Sequence, residues 1–177
     1  EEVKRWYQEF EFHRIYQRIN QFCTVELSAF YFDVLKDRLY ISAPNSPARR
    51  AAQTAIWRIG EALLRLLAPL MSFSCEEIWN YMPKMEGRPE SVHLALFPGP
   101  TDLMGGEVET SDPRQMEEWT TLHAVREDVL KALEEARNSK LIGGSLEAQL
   151  TLTASGPLYA LLSRHAGELR YLFIVSA

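Results

Sequence analysis

In the first 25 residues the apolar side chains Phe12, Ile15, Tyr16, Ile19, Phe22 and Cys23 recur at steps of one, three and four. That spacing predicts a helix from about residue 3 to residue 25. Thr24, Val25 and Glu26 interrupt the pattern, and Ser28 can cap a new helix whose apolar face is Phe30, Tyr31, Val34 and Leu35. This second helix stops near Tyr40, because residues 42–47 read as a Pro-flanked loop. Ser46 is placed to cap a long helix with Pro47 as its first residue. Its stripe is Ala52, Ile56, Ile59, Leu63, Leu66, Leu67 and Leu70, and Pro69 should kink or end it. Ser74 is expected to cap a short helix, with Glu76 and Glu77 in the first turn where the helix dipole favours them. Residues 83–112 are rich in Pro and Gly and form a connection, with an extended piece at 92–94. A fifth helix is expected over 113–138, with Trp119, Leu122, Val125, Val129, Leu133 and Ala136 on one face. From Leu146 to Thr153 the period becomes two, predicting a half-buried strand. A helix over 157–169 and a second strand over 171–176 complete the reading.

The fold class is therefore mainly α: an antiparallel helix bundle over residues 1–138, followed by a small C-terminal α/β appendage over 139–177. One core should hold Ile15, Ile19, Phe30, Ile56, Ile59, Leu63 and Leu66. Trp57, Trp79 and Trp119 fall on or near apolar stripes and read as core, while Trp6 lies in a frayed start. The chain ends inside an apolar segment, so it is expected to be cut from a longer protein.

Composition changes this picture little. Of 177 residues, 46% are hydrophobic and 24% charged, the ordinary balance of a globular protein. No apolar run is long enough to span a bilayer and the first residues do not form a signal peptide, so no membrane partner and a cytoplasmic setting are expected. Cys23 and Cys75 are not paired at CxxC spacing and read as reduced core thiols, with a disulfide left open. Net charge is −5, which at first sight argues against a nucleic-acid partner. Its distribution matters more: residues 36–58 hold Lys36, Arg38, Arg49, Arg50 and Arg58 against Asp37 alone. Such a local basic stripe suits selective phosphate contacts, although a solvated helix face would look the same.

No active site is legible. His13, His93, His123 and His165 are scattered and lack Cys or carboxylate neighbours at metal-ligand spacing. There is no GxSxG, P-loop or GxGxxG motif. Glu76 and Glu77, like Glu134 and Glu135, are sequence neighbours that point in different directions on a helix. No catalytic residue and no metal ligand is assigned. What remains is a basic bundle with aromatic residues, able to hold single-stranded RNA by phosphate contact and base stacking.

A set of short stretches carries a resemblance. Phe12 and His13 are followed by Asn20, Gln21, Phe22 and Cys23, then by Leu27, Ser28, Ala29, Phe30 and Tyr31. Lys36, Asp37, Arg38, Leu39 and Tyr40 form the most specific segment. Arg49, Arg50, Ala51, Ala52, Gln53 and Thr54 open the next helix, which runs into Leu66, Leu67, Ala68 and Pro69. Residues 72–79, Ser91 to Leu94, Val125 with Arg126, Ala136 with Arg137, 140–143, 145–148 and 172–176 continue in order. Together these resemble the anticodon-binding region of the isoleucyl-tRNA synthetase family, class I aminoacyl-tRNA synthetases, over nearly the whole chain. Valyl- and leucyl-tRNA synthetases share the bundle fold, and the segment 36–40 favours the isoleucyl family. A helical protein-interaction module without an RNA partner is the competing reading from another class.

The resemblance implies that the bundle grips the anticodon stem-loop of an isoleucine tRNA while catalytic and editing domains of the same chain act elsewhere. The catalytic motifs His-x-Gly-His and Lys-Met-Ser-Lys-Ser are absent, and 83–87 is not a variant of the latter. This segment alone is thus expected to be no enzyme and to need no cofactor, with ATP and magnesium serving the parent ligase. The cysteine-rich zinc element found at the end of many bacterial members is also absent from this sequence, and zinc is assigned only to such an element of the parent. The resemblance places RNA-reading residues where the second helix enters its loop, giving Lys36, Arg38 and Tyr40. Arg49 and Arg50 join them, since cations in the first turns of a helix oppose its dipole and invite an anion. Lys140 is a further tRNA-binding candidate, and Arg14, with His13 and Arg18, is a weaker one, more often part of a solvated face. For Arg38 the alternative is pairing with Asp33 or Asp37, and for Lys140 a helix cap.

Overall fold

A computed structural model describes residues 1–104 and 113–176. It divides into two compact units, Glu1–Val108 and Glu109–Ala177. The sequence reading placed the boundary at 138/139; the long helix of residues 113–138 belongs instead to the second unit.

In the first unit, α1 spans Glu2–Gln8 and α2 spans Phe12–Gln21. The chain then stays helical: a π-helical stretch, Phe22–Tyr31, leads directly into α3, Phe32–Tyr40. The break expected at 24–26 and the cap expected at Ser28 are not there. Thr24 Oγ1 donates to the Asn20 carbonyl at 2.8 Å, competing with the backbone ladder, and the helix widens instead of stopping. The widening has a packing reason. Ile15, Ile19, Cys23, Leu27, Tyr31 and Leu35 recur at steps of four. In an α-helix each such step overshoots a full turn by about 40°. A π turn rotates each residue by less, so Ile15, Ile19, Leu27 and Leu35 all remain buried.

Helix α4, Pro47–Leu67, starts as the sequence predicts. Ser46 Oγ accepts the Arg49 N–H at 3.3 Å, and Pro47 takes the first turn. It ends at the Ala68 cap, because Pro69 has no N–H to continue the ladder. Two apolar clusters flank α4. Trp6, Ile15 and Ile19 gather Leu63, Leu66 and Leu67 on one side. Ala68, Cys75, Trp79 and Val92 gather around Leu64 on the other, again touching Leu67. Ile59, Ile56 and Phe30 are half-buried. Trp6 is core, correcting its reading as part of a frayed start. Both cysteines are free thiols.

Helix α5 runs Ser72–Tyr81, three residues earlier than a Ser74 cap would give. Glu76 is therefore not a first-turn carboxylate. It reaches sideways to accept from Ser91 Oγ at 2.8 Å and from the Val92 N–H at 3.0 Å. These bonds hold its pKa below the ordinary 4.5. Residues 92–94 form a 3-10 turn, not an extended piece, because Ser91 Oγ caps it. The short α6, Pro100–Met104, ends the described part of this unit.

In the second unit, α7 is Pro113–Asn138, α8 Gly156–Arg164 and α9 Ala166–Phe173. The chain is mainly α, and among the described residues there is no strand. The two expected strands are corrected as follows. Residues 146–153 show remnants of alternation: Ala148 is buried and Leu150 half-buried, but Leu146 is 68% exposed. A strand needs a partner ladder, and residues 171–173, the intended partner, belong to α9. Burial of Leu172 and Phe173, with Arg126 Nε donating to the Leu172 carbonyl at 3.2 Å, rewards the helix. The helix expected over 157–169 is split at His165 into α8 and α9. Trp119 is 47% exposed, so it is not core.

Candidate functional site

The C-terminal end of α3 and the N-terminal end of α4 meet around residues 40–50. Tyr40 is the last residue of α3 and is 81% exposed; Ile41, which follows, is 77% exposed. Both Ile41 and Ser42 donate their N–H to the Asp37 carbonyl, closing α3 tightly. The chain then turns through Ala43, Pro44 and Asn45, all exposed, to the Ser46 cap. The backbone thus presents an apolar and aromatic ledge beside a helix N-terminus.

Cations outnumber acids around this ledge, the acids being Asp33 and Asp37 of α3. The first turn of α4 contains no acid, and Arg49 and Arg50 stand in it. Arg49 is half-buried and its Nη1 donates to the Ser42 carbonyl at 2.9 Å. Arg50 is exposed, and its guanidinium makes no hydrogen bond or ion pair among the described residues. Lys36 is exposed and paired with Asp33 one turn back, a contact that raises its pKa. Arg38 lies in the last turn of α3, where a cation favours the helix dipole. Burial pushes the Tyr31 phenol up, and the charge of Arg38 pulls it part of the way back.

Lys36, Arg38, Tyr40, Arg49 and Arg50 thus share one pole of the first unit. The other candidate of this unit does not join them. Arg14 sits at the start of α2, the opposite end of the continuous helix, and is bound to Glu11 at 2.6 Å. Lys140 belongs to the second unit, where it adopts φ 58° just beyond α7. Its N–H bonds the Arg137 carbonyl and the Leu141 N–H bonds the Ala136 carbonyl, the pattern that closes a helix in the left-handed conformation. Sequence reasoning passed over Ile41, whose only signal is an apolar residue placed directly before a polar turn. Among the described residues, no three His, Cys, Asp or Glu side chains are grouped as a bound metal would require.

The chemistry this arrangement offers is that of binding. Cations with few acids neutralise phosphates, and an exposed aromatic next to them offers a stacking face. Comparison with known proteins agrees with a nucleic-acid role. Residues 1–152 match the model of the anticodon-binding domain of tRNA ligase. The chain is 47% identical over 176 residues to an isoleucine–tRNA ligase of Geobacter sulfurreducens, covering 99% of this chain and 18% of that protein. It is 48% identical over 176 residues to the same ligase of Syntrophotalea carbinolica, covering 98% and 18%. The ligase of Glaesserella parasuis is 43% identical over 175 residues, covering 99% and 18%. The chain therefore spans about a fifth of the length of the curated relatives it matches, and by its match over residues 1–152 it belongs to the anticodon-binding domain family of tRNA ligases.

Proposed function

We propose that this chain is the anticodon-binding part of an isoleucine–tRNA ligase, and that the pole between α3 and α4 meets the anticodon loop of an isoleucine tRNA. The observation that carries it is the run of Lys36, Arg38, Arg49 and Arg50 around an exposed Tyr40, with no acid in the first turn of α4. The shared name of the relatives supports isoleucine over valine or leucine. In this reading the domain supplies orientation and selectivity, while amino-acid activation with ATP and magnesium belongs to other parts of a cytoplasmic parent ligase. Phosphate contacts fix register and base contacts discriminate, so cations and aromatic residues have separable effects.

The test is made in the full-length ligase. Arg50→Ala and Tyr40→Ala should each reduce aminoacylation of isoleucine tRNA while leaving isoleucine-dependent pyrophosphate exchange near normal. Loss of one stacked base corresponds to ~1–3 kcal/mol. Unchanged aminoacylation by both variants at physiological salt would place the site elsewhere on the bundle.

A further inference from the structure

Two adjacent arginines open α4, and in sequence they are equivalent. Successive residues of a helix are rotated by about 100°, so their side chains leave in different directions. Arg49 turns back over the loop and Arg50 turns out to water. We infer that Arg49 is a positioning residue that holds the 40–46 turn in a preset shape, and that Arg50 is the cation of this pair that meets phosphate. The inference rests on the reading that this pole meets the anticodon loop.

Arg49 grips both ends of the turn. Its guanidinium Nη1 takes the Ser42 carbonyl at 2.9 Å, and its own N–H is taken by Ser46 Oγ at 3.3 Å. The Ser42 peptide is thereby held twice, its N–H by the Asp37 carbonyl of α3 and its carbonyl by α4. The Ser46 N–H closes the turn onto the Ala43 carbonyl at 2.9 Å. The Ser42 carbonyl lies at the negative end of α3, where a guanidinium is well placed. Arg49 Nε is buried and makes no hydrogen bond among the described residues. Swinging Arg49 out to a phosphate would break a charge-assisted bond and release the turn that carries Tyr40 and Ile41. A turn fixed before binding has less conformational freedom to lose on contact, which raises affinity without adding a contact.

The experiment uses the full-length ligase and an unmodified isoleucine tRNA transcript, with affinity followed across a salt series. Arg50→Ala should lower the slope of log affinity against log salt by about 0.7–1, the loss of one phosphate contact. Arg49→Ala should weaken binding roughly tenfold at every salt concentration and leave the slope at its parent value. Without tRNA, backbone hydrogen exchange over 41–46 should accelerate in Arg49→Ala and not in Arg50→Ala, while the rest of α4 stays protected. Arg49→Lys keeps the charge without the planar reach and should recover only part of the affinity. It also carries the test should Arg49→Ala lose protection throughout α4. A fall in slope with Arg49→Ala equal to that of Arg50→Ala, with exchange over 41–46 unchanged, would overturn the inference. If exchange rises in Arg49→Ala but Arg49→Ala, Arg50→Ala and Tyr40→Ala all bind tRNA as the parent does, the clamp is real and the anticodon reading of this pole is what fails.

Discussion

The first unit uses arginine in two opposite ways. Around residues 57–104, arginines are fixed to the fold: Arg58 donates to the Leu103 carbonyl, Arg65 to Leu96, and Arg88 to Trp79. Arg88 also lies 3.5 Å over the Trp79 ring, and Trp79 Nε1 donates to the Pro89 carbonyl. Arg65 is paired with the buried carboxylate of Glu61 at 2.6 Å. These side chains pin a long connection onto α4 and α5 by satisfying carbonyls that lack a ladder. At the α3–α4 pole the turn is short and closes largely on itself. One arginine suffices to staple it, and Arg50 keeps its donors. Abundance of cations is therefore a poor guide to a nucleic-acid surface; what matters is how many backbone acceptors nearby are already satisfied.

The contrast can be broken most forcefully at Arg65. Arg65→Ala leaves the Glu61 carboxylate buried without its partner and should cost about 3 kcal/mol of unfolding free energy. Denaturant unfolding measures it, and a loss below 0.5 kcal/mol, the scale of an ordinary surface change, would show that Arg65 is no more structural than Arg50. Smaller, and of opposite sign, is Lys140→Gly. Its left-handed backbone is disfavoured for a residue with a Cβ, so glycine should stabilise the second unit by about 1 kcal/mol. A lower melting temperature would mean that the lysine side chain itself holds the end of α7. Arg50→Ala should change stability by less than about 0.5 kcal/mol while lowering tRNA affinity, the reverse of the Arg65 pattern.

The last prediction concerns pH. Glu76 has a depressed pKa, chiefly through its bond from Ser91. The unfolded chain binds that proton first as pH falls, so the stabilisation is fully present above 4.5 and is lost as pH drops through the lower folded value. Acid unfolding of Glu76→Gln should lack this component. An unaltered pH dependence would show that the Ser91 and Val92 contacts do not favour the charged form.

Local chemistry made much of this legible in the sequence. The α4 start needs only Ser46 and Pro47, its end only Pro69, and the long α7 follows from its apolar period. The pole was legible too, because a helix end, a short loop and a helix start must lie together. That Arg14 lies at the far end from it was not legible, since a run read as two helices with a break is one continuous helix. Whether Thr24 stops a helix or widens it depends on the core that Ile15, Ile19, Leu27 and Leu35 share, a contest no local window contains.

The sequence by itself determined the helical class, the capped start of α4 and the clustering of charge near residues 36–50. Each rests on interactions within a few residues, whose energies do not depend on the rest of the chain. Only the tertiary structure decided that residues 171–173 are helix, that 146–153 pair with no strand, and that Arg49 faces inward while Arg50 faces out. Those choices turn on long-range partners, such as the Leu172 carbonyl waiting for Arg126 and the Ser42 carbonyl waiting for Arg49. A hydrogen-bond acceptor left unsatisfied in the interior is costly, and only the folded chain shows which side chain arrives to satisfy it.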